Sequence, residues 1–213
     1  MRGLYRFYEQ LGLRIAQQGH TALAIDYFGR TAGTGPRDAS FPFMEHVVRV
    51  TRTTLDDDIE AAANYLRSNE GGNNDAVLAL GFCFGGRQAF LASAPRFQLD
   101  GVIGFYGAPG FYPNGAPGPT QRAAELKAPI LAIFGGADEG IPANQVEAFD
   151  QALTSARVPH EIVVYPGAPH SFFDIKHEEH AEACADAWRR VLAFIADHSD
   201  REESKRDESK TTC

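Results

Sequence analysis

Five short apolar runs, at residues 21–28, 76–83, 101–107, 129–136 and 161–165, divide the chain, and each is bounded by Gly, Pro, Asn or Asp. Runs of this length between such punctuators read as strands buried on both faces. The segments between them carry the helical period. Residues 4–18 place Leu4, Phe7, Tyr8, Leu11 and Ile15 on one face, and residues 55–67 do the same with Leu55, Ile59, Ala62 and Leu66. Residues 143–156 and 179–195 are two further helices. Helix alternating with strand predicts a mostly parallel sheet covered on both faces, an α/β architecture of three layers.

The length of 213 residues suits one such domain, expected over 1–198. Residues 199–213 mix both charge signs with almost no apolar content and read as a disordered tail. The formal net charge of -8 argues against nucleic acid as a partner, because phosphate binding needs clustered Lys and Arg. Three widely spaced cysteines, Cys83, Cys184 and Cys213, are odd in number and form no disulfide framework. A reducing compartment, the cytoplasm, is the expected location. No apolar stretch approaches the ~20 residues of a membrane-spanning helix, so no membrane partner is expected. Oligomeric state is not readable. Residues 110–120 form a Pro- and Gly-rich loop. Residues 31–50, with Phe41, Phe43 and Met44, form a longer excursion, and loops of that length are usually functional.

The second run ends in Gly81-Phe82-Cys83-Phe84-Gly85-Gly86 and leads into a helical stretch. Small residues two positions either side of a nucleophile permit a sharp strand-to-helix turn that points its side chain out of the sheet. The following helix aims its first N–H groups and its dipole at the sulfur, which favours thiolate. The bland alternative is a buried structural cysteine. Asp138 follows the fourth run in Gly135-Gly136-Ala137-Asp138. His170 follows the fifth in Gly167-Ala168-Pro169-His170. Taken alone, each has an ordinary turn or surface explanation. Together, nucleophile, acid and base at the ends of successive strands have the α/β-hydrolase order. Ligands of open α/β sheets bind at that edge. A neutral histidine base needs a carboxylate on its other nitrogen, a position that Asp138 can reach.

These residues resemble the dienelactone hydrolase family. GFCFGG, GGADEGIP and PGAPHSFFD look like its three motif regions, and AIDYFGR looks like the strand before its cap segment. The resemblance covers nearly all of residues 1–198. It implies Cys83 as nucleophile, Asp138 as the acid, His170 as the base and the Phe84 N–H as one oxyanion donor. The substrate class it implies is a small ester or lactone, cleaved through a thioester. Two departures stand out. The family's first strands, with the second oxyanion donor, correspond to positions before or at Met1. The chain is therefore expected to be N-terminally truncated, with a sheet lacking its usual N-terminal strands; a non-catalytic remnant is the alternative reading. Asp174 also stands where the family has an Arg that holds a substrate carboxylate.

Arg30, Phe82, Tyr106 and Phe172 are candidate substrate-binding residues, with Arg49 and Arg52 as further cations in the cap. His177, His180 and Cys184 could share a helix face as metal ligands, but Cys184 belongs to the apolar stripe of Trp188, Val191, Leu192 and Ile195, so it reads as core and no metal is expected. Gly29, Gly33 and Gly35 form no phosphate-binding fingerprint, and no cofactor is expected.

Overall fold

The computed structural model describes residues 3–35, 37, 38 and 40–199. Its contacts fall into two compact units, Met1–Asn74 and Asp75–Cys213. The segment 199–213, beyond Ser199, lies outside the described residues.

The first unit holds four helices: α1 (Arg6–Ala16), α2 (Gly29–Ala32), α3 (Phe43–Val47) and α4 (Arg52–Arg67). Helix α4 begins three residues before the apolar pattern that announces it. The cause is its cap: the Thr51 hydroxyl accepts from the Thr54 N–H at 3.2 Å, and the Thr54 hydroxyl accepts from the Thr51 N–H. Two of the four orphan donors of the helix end are satisfied this way. The expected strand over 21–28 is not formed. Its first residues have no regular structure, and no strand among the described residues pairs with it. Leu23 and Ile25 are 39% and 36% exposed. An apolar run reports burial propensity, but a strand exists only where a neighbour completes its ladder. Here a carboxylate organises the segment instead. Asp26 accepts from the N–H groups of Leu4 and Phe28 and pairs with the buried Arg37 guanidinium.

The second unit holds the sheet. Its strands are β1 (Leu78–Phe82), β2 (Gly101–Phe105), β3 (Ile130–Gly135) and β4 (His160–Tyr165), all parallel and in the spatial order β1-β2-β3-β4. These are the second to fifth predicted runs. Between and after them lie α5 (Phe84–Ala92), α6 (Ala143–Ala156) and α7 (Ala181–Ser199). Every residue of β2 and β3 is buried, as continuous apolar runs require.

Both faces of the sheet are covered, and β2 shows how. A side chain added at Gly101 would meet Phe194 of α7, whereas one added at Gly104 would meet Phe90 of α5. Positions three apart on a strand point to opposite faces. Helices α5 and α7 therefore sandwich the sheet. Because all four strands run the same way, their C-terminal ends share one edge, in register from Phe82 through Phe105 and Ile133 to Val163. No helix among the described residues is long and apolar enough to cross a membrane.

Candidate active site

Cys83 sits between β1 and α5 with φ 54° and ψ -114°. A non-glycine residue in that region is strained and must be held by its surroundings. Two bonds hold it: the Cys83 N–H donates to the Phe105 carbonyl at 2.9 Å, and the Arg87 N–H donates to the Cys83 carbonyl at 3.1 Å. The glycines around it divide by function. A Cβ at Gly81 would land on the Gly85 carbonyl, and one at Gly86 would lie 2.5 Å from the Phe105 carbonyl. Gly85 itself faces open space. The turn thus demands glycine two residues before and three after the cysteine, not two before and two after. Gly81→Ala is expected to lower stability by ~3 kcal/mol through overpacking. Gly85→Ala, in a helix with room for a methyl, is expected to raise it by up to ~1 kcal/mol. Urea unfolding midpoints of the two variants test the pair.

Asp138 and His170 are joined by two touching loops. Gly135 and Gly136 leave β3 without side chains, and a Cβ on Gly135 would strike the Ala168 carbonyl. The chain after β4 lies directly against them: the Gly136 N–H donates to Tyr165 at 2.8 Å and the Ala137 N–H to Ala168 at 3.0 Å. This closeness brings the His170 Nδ1 to 2.6 Å from the Asp138 Oδ2. The other carboxylate oxygen accepts the Gly140 N–H at 2.9 Å. Asp138 is buried, while the His170 side chain is 38% exposed. The acid is fixed from both sides and the imidazole keeps access to solvent.

The second partner of His170 is the Cys83 side chain, whose interaction is the largest influence raising the imidazole. Burial opposes it, Asp138 adds to it, and His170 is pushed up to about 9. The thiol moves the other way. Burial, its largest single influence, pushes it up, but the bond to His170, the imidazolium charge and the Phe84 N–H outweigh burial and pull it below the ordinary thiol range. The two shifts run together: each group favours the charged form of the other.

Two more strained residues frame the site: Tyr106 with φ 36° and Ser171 with φ 60°. Tyr106, one residue past β2, is fully buried, with its ring centroid 4.9 Å from that of His170. Its hydroxyl donates to Asp174 Oδ1 at 2.8 Å. Of the other candidate substrate-binding residues, Phe82 stacks on Phe105 and Phe173 in the core, and Phe172 is fully buried beside Tyr106 and Tyr165. Arg30 belongs to the first unit and pairs with Asp58; Arg52 pairs with Asp56. Cys184 donates its thiol hydrogen to the Phe172 carbonyl at 3.3 Å.

Sequence reasoning passed over Arg87 and Gly140. Arg87 is buried one turn into α5, where its Nε donates to the Ala108 carbonyl and its guanidinium lies 4.2 Å over the Tyr112 ring. It ties the loop after β2 to α5, the helix that follows Cys83. An arginine four residues after a candidate nucleophile, in an otherwise apolar helix start, was the available signal. Gly140 had none, because it acts through its backbone.

Comparison with known proteins gives a consistent result. The model of the dienelactone hydrolase family matches residues 1–199. A Yersinia pestis protein named "Putative carboxymethylenebutenolidase" is 32% identical over 92% of this chain and 74% of its own length. One of the same name from Synechocystis is 34% identical over 84% and 75%. The crystal structure of a "Putative Dienelactone Hydrolase" from Klebsiella pneumoniae superposes with a TM-score of 0.78 at 32% identity, covering 91% of this chain and 82% of that one.

Proposed function

The chain belongs to the dienelactone hydrolase family, and from that premise we propose that it hydrolyses a small ester or lactone with Cys83 as nucleophile, His170 as base and Asp138 as the residue that orients the base. One observation carries the reading: a cysteine held on a strained turn meets a histidine whose far nitrogen is 2.6 Å from a buried carboxylate. Strain and a shifted histidine together are costly features that a purely structural cysteine does not need.

The steps follow from the charges. His170 takes the thiol proton, and the Cys83 thiolate attacks the carbonyl carbon. Charge moves onto the carbonyl oxygen, and the Phe84 N–H at the start of α5 donates to it. The tetrahedral intermediate collapses to a thioester, and the leaving oxygen takes the proton from His170. His170 then deprotonates a water that attacks the thioester. The carboxylic acid departs and the thiolate returns. Both reaction halves need the imidazole to keep one tautomer, which the Asp138 carboxylate imposes.

The test is hydrolysis of p-nitrophenyl acetate and a simple enol-lactone, with iodoacetamide labelling of Cys83 in parallel. Turnover that stops when one equivalent of label reaches Cys83 supports the reading. No turnover, with Cys83 no more reactive than a free thiol, overturns it in favour of a non-catalytic domain. The labelling rate should also rise with pH around a midpoint below the ~8.5 of a free cysteine. The sign is set by His170. It is raised to about 9, and its positive charge beside the sulfur favours the thiolate.

A further inference from the structure

Asp174 is the group beside this site that the reaction leaves unused. It lies four residues past His170, and the Tyr106 hydroxyl donates to its Oδ1 at 2.8 Å. Tyr106 cannot turn away, being fully buried and packed against Phe82, Phe105 and Phe172. Its ring also faces His170 at 4.9 Å. One tyrosine thus spans from the imidazole to the Asp174 carboxylate. The carboxylate is thus separated from the imidazole by the width of one tyrosine, on the scale of the ~10 Å over which charges act at about 0.1 M salt.

Asp174 forms no salt bridge among the described residues, and its side chain is half-buried. Its nearest chain neighbours do not neutralise it. Residues 174–182, DIKHEEHAE, hold four carboxylates against one lysine and two histidines. The segment following His170 therefore presents net negative charge.

We infer that Asp174 is a specificity-determining residue that selects against acyl groups carrying a carboxylate, so that the substrate class of the proposed ester hydrolysis is neutral or cationic. The inference rests on that proposed reaction. An anionic acyl group bound at Cys83 would place a second unpaired negative charge near the Asp174 carboxylate. A neutral one adds no such charge.

The probes are mono-p-nitrophenyl adipate and its methyl ester, which differ in one charge at the far end of the acyl chain. The wild type is expected to favour the methyl ester in kcat/KM by roughly three- to tenfold, the scale of one charge–charge repulsion near a protein surface. Asp174→Asn keeps an acceptor for the Tyr106 hydroxyl and removes the charge. It should bring the ratio to near one through the free acid alone, with methyl ester turnover within about twofold of wild type. Raising the salt from about 0.01 M to 1 M shortens the screening length from ~30 Å to ~3 Å and should erase the wild-type preference without any substitution. A wild-type ratio near one at low salt, or a preference that Asp174→Asn leaves intact, overturns the assignment. Should the variant not fold, a preference that persists in 1 M salt does the same. Hydrolysis of neither ester by the wild type is a different result, because it counts against the ester-hydrolase reading itself.

Discussion

Cys83→Ala is expected to reduce hydrolysis of p-nitrophenyl acetate by about 10⁴- to 10⁶-fold in kcat, the range seen when a covalent nucleophile is deleted. The argument is chemical. Without a sulfur at the turn, His170 can at best activate a water, and the thioester that splits the reaction into two lower barriers cannot form. Folding should survive. The elbow is held by backbone bonds from Cys83 to Phe105 and from Arg87 to Cys83, and alanine keeps both. The fold-dependent signal is the near-UV circular dichroism of the packed aromatic rings, which should be unchanged. A second effect accompanies the loss. The Cys83 side chain is the largest influence that raises His170, so its removal should drop the histidine titration from about 9 toward its ordinary value, with Asp138 alone holding it up. Proton NMR of the His170 ring reads this directly. An alanine variant that still turns over ester at the wild-type rate would remove Cys83 from the reaction.

The residues behind that prediction were readable because local sterics dictate them. No side chain fits at Gly81 or Gly86, so a glycine–cysteine–glycine pattern at the end of an apolar run can specify only a tight turn. Asp138 and His170 were readable through topology. Four parallel strands in sequential order put each strand's exit loop beside the next, so residues far apart in the chain share one edge. What escaped was whatever depends on a partner. The run at 21–28 has strand composition but no neighbouring strand among the described residues, and no propensity supplies a ladder. The start of α4 was misplaced because the apolar period begins at Leu55, whereas the helix is set by a pair of threonine hydroxyls that carry no hydrophobic signal. The contact between Tyr106 and Asp174 joins residues 68 apart and follows only from the seating of the His170 loop against the end of β2. Asp174 was visible in sequence as a departure from a resemblance. Its bond to a tyrosine that also faces the imidazole was not.

Asp138→Asn should cost less activity than loss of the nucleophile but still roughly 10³- to 10⁴-fold in kcat, with little change in substrate affinity. The two carboxylate oxygens have different partners, and this decides how asparagine sits. The Gly140 N–H needs an acceptor, so the amide oxygen stays on that side and the amide nitrogen turns toward His170 Nδ1. An N–H donor facing Nδ1 forces the hydrogen of the neutral ring onto Nε2, the wrong tautomer to take a proton from a thiol. The charge argument runs in the same direction. Asp138 raises His170, so its loss lowers the histidine; a less protonated histidine pulls less on the thiol, so Cys83 moves up. The midpoint of iodoacetamide labelling should therefore shift to higher pH in the variant, toward the ~8.5 of free cysteine, and labelling at neutral pH should slow. A variant that loses activity but keeps the wild-type labelling curve would show Asp138 acting on something other than the charge of His170. A curve that moves up with the activity loss would tie the carboxylate, the imidazole and the thiol into one titrating unit.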